Sequence, residues 1–144
     1  MNEALEGLRI RTGDWGILRD ACMAIRREVF VLEQGVPDSI EIDGRDDTAI
    51  HVLASLRDEP VGTGRLLPDG QIGRLAVGAD WRGAGVGGAM LALLIEEARE
   101  RGFQAVTLNS QLHACGFYEA FGFQAIGEPF VVAGLDHRKM SLKL

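Results

Sequence analysis

Apolar residues recur along the chain with two different periods, and the changes of period mark its elements. In LRIRT (8–12), Leu8 and Ile10 alternate with Arg9 and Arg11 as a half-buried strand requires, and Asp14 follows as a candidate helix cap. Over 15–33 the spacing lengthens to three and four: Ile17, Leu18, Ala21, Cys22, Ile25, Val29 and Leu32 predict one amphipathic helix, stopped near Gln34-Gly35 and Pro37. Between 38 and 47, Asp38, Glu41, Asp43, Asp46 and Asp47 outnumber Arg45, a charge pattern expected of a solvated connection. The β-rich runs 50–57 and 61–67, separated by Asp58-Glu59-Pro60, predict an antiparallel hairpin. Pro68-Asp69-Gly70 turns the chain into a strand over 71–77.

The second half repeats this alternation. Segment 83–101 is glycine-rich first and helical afterwards, with Leu91, Leu94, Ile95 and Ala98 on its core face and Gly102 as its stop. A strand at 104–109, a short helix over 113–121 and strands at 124–132 and 137–143 complete the prediction. Helices that interrupt mainly antiparallel strands make a mixed α/β, or α+β, fold. A chain of 144 residues has the size of one domain, 1–144.

Composition narrows the chemistry. Hydrophobic residues at 47% and charged residues at 25% describe an average globular chain and exclude disordered or fibrous classes. A net charge of −6 argues against nucleic acid as a partner, because phosphate-backbone binding needs concentrated Lys and Arg. Cys22 and Cys115 show no CxxC or Cys/His ligand spacing, so neither a disulfide framework nor a metal site is indicated. The N-terminal MNEALEGLRI carries acids where a signal peptide has a basic and apolar stretch, and no run approaches the roughly 20 apolar residues of a membrane span. The expected compartment is the cytoplasm, with no membrane partner.

The principal signal is Arg82-Gly83-Ala84-Gly85-Val86-Gly87-Gly88, at a strand-to-helix junction. Glycines there let backbone N–H groups approach a ligand, and the helix start adds unpaired donors and partial positive charge, so phosphate oxygens are the natural guest. The competing reading is a tight turn with no ligand. Gly83-x-Gly85-x-x-Gly88 also satisfies the dinucleotide-binding pattern. However, five residues separate Val77 from Gly83, and the next strand ends in Thr107-Leu108-Asn109 without the acid that holds a ribose. No Gly-Lys-Ser/Thr closes the cluster, which excludes a nucleotide triphosphatase loop.

The chain resembles the GNAT superfamily of N-acetyltransferases. The resemblance rests on Leu75-Ala76-Val77 followed by Arg82-Gly83-Ala84-Gly85-Val86-Gly87, and on a second block of Gln111, Ala114, Phe117, Tyr118 and Gly122-Phe123. Arg27-Glu28-Val29-Phe30-Val31-Leu32-Glu33-Gln34 with Gly35-Val36-Pro37 also looks like the ElaA-like and YjcF-like branch. Gln111 stands where Asn is commoner, and no Pro precedes the loop.

The resemblance implies a twisted, mostly antiparallel sheet with flanking helices and one splayed parallel pair, strands 71–77 and 104–109. It implies acetyl-CoA as cosubstrate, with no metal. Its pyrophosphate would rest on the N–H groups of Arg82, Gly83, Ala84, Gly85, Val86 and Gly87, and its pantetheine arm along Leu75, Ala76 and Val77 beside Gln111. A small-molecule or peptide amine is the implied acceptor, and a homodimer stays open.

Tyr118 takes the family's place for the acid that protonates the departing thiolate; a core tyrosine beside Phe117 and Phe121 is the other reading. For the general base, Glu28, Glu33, Asp43, His51, His137 and a water chain are candidates, because Gln71 stands where related enzymes carry a carboxylate and Gln takes no proton at neutral pH. Arg65 and Arg74 either hold an acceptor carboxylate or pair with the acids of 38–47. A catalytically degenerate acyl-CoA-binding module is the alternative to an enzyme.

Overall fold

A computed structural model describes residues 6–144. Strand β1 (Leu8–Gly13), β2 (Ile50–Leu56), β3 (Glu59–Leu66) and β4 (Ile72–Val77) form one antiparallel sheet in the order β1-β2-β3-β4. Strands β5 (Ala105–Gln111), β6 (Gln124–Val132) and β7 (Leu135–Lys143) form a second, in the order β5-β7-β6. The two sheets meet where β4 and β5 begin side by side: Gln71 and Thr107 form a parallel bridge, and Thr107 N–H donates to Gly70 O at 3.0 Å. Beyond that bridge no strand pairing joins them among the described residues, so the facing edges of β4 and β5 diverge. This is the splayed parallel pair expected from the sequence, set in a mixed α/β architecture of mainly antiparallel strands with flanking helices.

Helix α1 (Trp15–Arg26) starts at Asp14, whose carboxylate accepts from Ile17 N–H at 3.1 Å. The single helix predicted over 15–33 is two segments, because Arg27–Glu33 is a π-helix, after which the chain turns at Gly35 with φ of +72°. Leu18, Cys22, Ile25 and Val29 face the core, but Ile17 and Leu32, expected on the same face, are 72% and 70% exposed. Ile17 lies a residue off the buried stripe, and the wider π turn rotates Leu32 outward. The same turn places Phe30 and Gln34 toward the groove between the sheets.

The acidic connection differs more from its prediction. It contains a one-turn helix, α2 (Asp38–Glu41), and a 3₁₀ turn at Asp46–Thr48, and its Glu41 and Asp46 are buried. The cause lies elsewhere in the chain: Arg26, itself 1% exposed, pairs with Glu41 and reaches Asp46 at 2.7 Å, while Arg65 reaches Asp46 at 2.9 Å and Asp43 at 2.5 Å. Burying charge is tolerated only when it is paired and hydrogen-bonded, and here each buried carboxylate faces a guanidinium.

Helix α3 (Val86–Glu100) buries Val86, Met90, Leu91, Leu94, Ile95 and Ala98 in the main core with β2, β3 and β5. Its approach to β3 is close: a Cβ at Gly62 would lie 2.7 Å from Met90 Cε. That contact fixes the start of α3 beside the end of β4. A short helix, α4 (Cys115–Glu119), follows β5.

Candidate active site

The strand residues before the glycine loop carry a bulge. The register passes from Thr63 opposite Ala76 to Arg65 opposite Gly73, so Gly64 faces both Arg74 and Leu75, and Arg74 takes a φ of +51°. A non-glycine residue in that region costs roughly 1–3 kcal/mol and concentrates at functional sites. Past the bulge, β4 has β3 on one side only, so alternate backbone N–H and C=O groups of Leu75, Ala76 and Val77 face the diverging gap. The signal for this bulge was present in Gly64 and Gly73, since glycine inside a strand pattern marks a bulge or a close backbone approach.

At the end of β4 the chain turns through Ala79–Trp81 into the glycine loop. Gly83 and Gly85 have φ of +78° and +92°, which L side chains adopt only under strain, and a Cβ on either would point into open space. No side chain caps α3, whose N-cap is Gly85. Its first-turn N–H groups are therefore free of intrahelical partners and concentrate partial positive charge at the open side of the loop. These residues fit a pyrophosphate-bearing cosubstrate. Arg82 donates through Nε to Val77 O at 2.9 Å and holds both oxygens of Glu33 at 2.7 Å.

Helix α4 joins this loop to the cleft between the sheets. A Cβ on Gly87 would lie 3.8 Å from the Phe117 ring, which meets Tyr118 edge-on with centroids 5.0 Å apart. Tyr118 in turn lines a cleft of about 300 Å³. Burial, with a smaller contribution from Cys115, pushes the Tyr118 hydroxyl up to about 12, so it stays protonated at neutral pH. The cleft is bordered by Ile72–Leu75 of β4, Leu108–Gln111 of β5, Phe30, Gln34, Val36, Ile40 and Glu41, and by Val132, Ala133, Leu135 and His137.

Among the residues singled out from the sequence, Leu75, Arg74, Gln111, Tyr118 and His137 line this cleft. Ala76 packs against Ile25 and Val29, Val77 and Ala84 pack on the main core, and the loop 82–87 continues from β4 outside the cleft lining. His51 and Arg65 are buried away from it. His51 Nε2 donates to Asp46 O at 3.0 Å, and burial lowers its pKa. The hydrogen-bonded Arg65 guanidinium holds Asp43 well below the usual carboxylate range. Of the two fates open to Arg65 and Arg74, pairing with the acids of 38–47 is seen for both: Arg65 with Asp43 and Asp46, and Arg74 with Asp43 at 3.4 Å and Glu41 at 3.7 Å. Arg74 donates to Glu41 O at 2.9 Å and still borders the cleft. Glu28 lies near Gly78, outside the cleft lining. Asn109, Ser110 and His113 also line the cleft and had no distinguishing pattern in the sequence.

Comparison with known proteins agrees with this geometry. Residues 15–144 match the family model of the acetyltransferase (GNAT) domain. The chain is 37% identical over 127 residues to the uncharacterised N-acetyltransferase YjcF of Bacillus subtilis, covering 85% of this chain and 90% of that protein. It superposes on the crystal structure of Escherichia coli ElaA with a TM-score of 0.84 at 30% identity, covering 93% and 98% of the two chains. An acyl-CoA N-acyltransferase from Pseudomonas aeruginosa gives a TM-score of 0.84 at 27% identity with the same coverage.

Proposed function

The chain belongs to the acetyltransferase (GNAT) family, in its ElaA-like and YjcF-like branch, and from that premise we propose that it transfers the acetyl group of acetyl-CoA to a primary amine by direct attack in a ternary complex. The observation that carries this reading is the uncapped start of α3 next to the unpaired edge of β4, with Tyr118 between loop and cleft. When bound, acetyl-CoA supplies an activated thioester carbonyl with a thiolate as leaving group.

The chain's own groups act around it. The N–H groups of Arg82, Gly83, Ala84, Gly85, Val86 and Gly87 hold the pyrophosphate. The edge of Leu75, Ala76 and Val77 pairs with the pantetheine amides as an added strand does, and Gln111 offers its amide from β5. Whichever of Ala76 and Val77 turns its N–H to the free edge stabilises the oxyanion, a contribution of roughly 3–4 kcal/mol for one good donor. Tyr118, held protonated by burial, donates its hydroxyl proton to the departing sulfur.

The test is incubation with acetyl-CoA and a panel of small amines, peptides and protein N-termini, reading free thiol. Amine-dependent thiol release supports the reading. Acetyl-CoA binding with no thiol release from any amine supports the degenerate binding module instead.

A further inference from the structure

An amine in water arrives as an ammonium ion, and its lone pair attacks only after a base has taken one proton. The cleft separates the candidates for that role. Both oxygens of Glu33 are occupied by Arg82, whose hydrogen bonds lower its pKa. Asp43 is held by Arg65, and the buried Glu41 by Arg26. His51 has committed Nε2 to a carbonyl and lies outside the cleft lining, as does Glu28.

His137 differs from all of these. It is half-buried and lines the cleft that Tyr118 lines. Its Nδ1 lies 2.8 Å from Leu135 O, and a carbonyl only accepts, so Nδ1 carries the hydrogen and the neutral ring keeps its lone pair on Nε2. The ring stacks on Phe130, with centroids 5.9 Å apart and planes 24° from parallel, and its backbone is paired to Gln111 on one side and Phe130 on the other.

We propose that His137 is the general base that takes the ammonium proton of the acceptor through Nε2. This assignment rests on the acetyl-transfer reading above. The protons balance as follows. Nε2 removes one ammonium proton and passes it to solvent. The freed nitrogen bonds to the thioester carbonyl carbon, the C–S bond breaks, and the thiolate takes the Tyr118 hydroxyl proton. The excess proton on the new amide nitrogen returns to the Tyr118 oxygen. Glu41 and Arg74 also line the cleft, as do His113 and Tyr118 from the turn and helix after β5, and Asp136 and Arg138 flank His137 on its own strand. Arg138 is turned to Gly127 O at 2.6 Å, and His113 is the rival imidazole.

The test compares His137→Gln and His113→Gln on one accepted amine, with calorimetric titration of acetyl-CoA and ¹⁵N NMR of the wild-type imidazoles. Expected are a fall in kcat of on the order of 10²-fold or more in His137→Gln, loss of the acidic limb of its kcat/KM profile, unchanged acetyl-CoA affinity, and an Nδ1–H tautomer for His137. His113→Gln retains the acidic limb; loss of that limb in His113→Gln and not in His137→Gln overturns the assignment. An Nε2–H tautomer, or a His137→Gln enzyme that keeps turnover and the acidic limb, overturns the assignment alone. A wild type that releases no thiol with any amine overturns it together with the acetyl-transfer reading.

Discussion

Polar groups concentrate in two regions, and they are finished to different degrees. In one, Arg26, Glu41, Asp43, Asp46 and Arg65 meet one another, and of their buried side-chain atoms only Arg65 Nε is left without a partner. At the glycine loop the reverse holds: the start of α3 has no side-chain cap, a Cβ on Gly83 or Gly85 would meet nothing, and the neighbouring edge of β4 is unpaired. Buried polar groups need partners, so a region that satisfies itself is scaffold, whereas unpaired donors at a helix start are available to a ligand.

The contrast is broken most strongly at Arg26. Arg26→Met removes the guanidinium shared by Glu41 and Asp46 and strands buried charge, so the fold loses about 3–5 kcal/mol in urea titration. At the loop the effect moves from stability to binding. Gly85→Asp places a side chain at φ +92° and sets a carboxylate against the phosphate cradle. Acetyl-CoA affinity falls by on the order of 10²-fold or more by calorimetry, consistent with the several kcal/mol cost of juxtaposed like charges, while the strain takes only about 1–3 kcal/mol from the fold. Equal affinity in Gly85→Asp would put the phosphate site elsewhere.

Between the two regions, Tyr118→Phe removes one hydroxyl. Turnover drops by on the order of 10²-fold with cofactor affinity little changed, and pre-steady-state thiol release separates this from a masked chemical step. Acid tests the scaffold without mutation. The native His51 ring stays neutral where an unfolded imidazole takes a proton, so stability falls as the pH drops below about 6.5. The lowered pKa values of Asp43 and Asp46 give stability that is complete above about pH 4 and is lost as the pH falls toward their native values. Urea midpoints across pH 2–8 should therefore decline in two steps. The smallest effect belongs to the exposed Arg82–Glu33 pair: a double-mutant cycle to alanine should give a coupling under about 1 kcal/mol.

Element order was legible because periods of two and three to four alternate cleanly, and the loop was legible because four glycines cluster within 83–88. The ion cluster was legible only in part: pairing of Arg65 and Arg74 with the acids of 38–47 was one of two readings open, but Arg26, in an otherwise apolar helical stripe, carried no sign of its partners 15 and 20 residues away. An acidic run whose partners come from other elements looks solvated in one dimension. The π turn at Arg27–Glu33 was hidden for a related reason: its residues keep helical spacing, and only the exposure of Leu32 betrays the wider turn. His137 sits on a terminal strand with no motif around it, and only folding brings it to the cleft that Tyr118 lines.

The most direct test of the central claim is calorimetric titration of the wild-type protein with acetyl-CoA and, in parallel, with NAD, accompanied by thermal unfolding. The cradle and the β4 edge predict saturable binding of acetyl-CoA, with about 2.7 kcal/mol of added stability at 100 times its dissociation constant, and no effect of NAD. Stabilisation by NAD with none by acetyl-CoA would contradict the account.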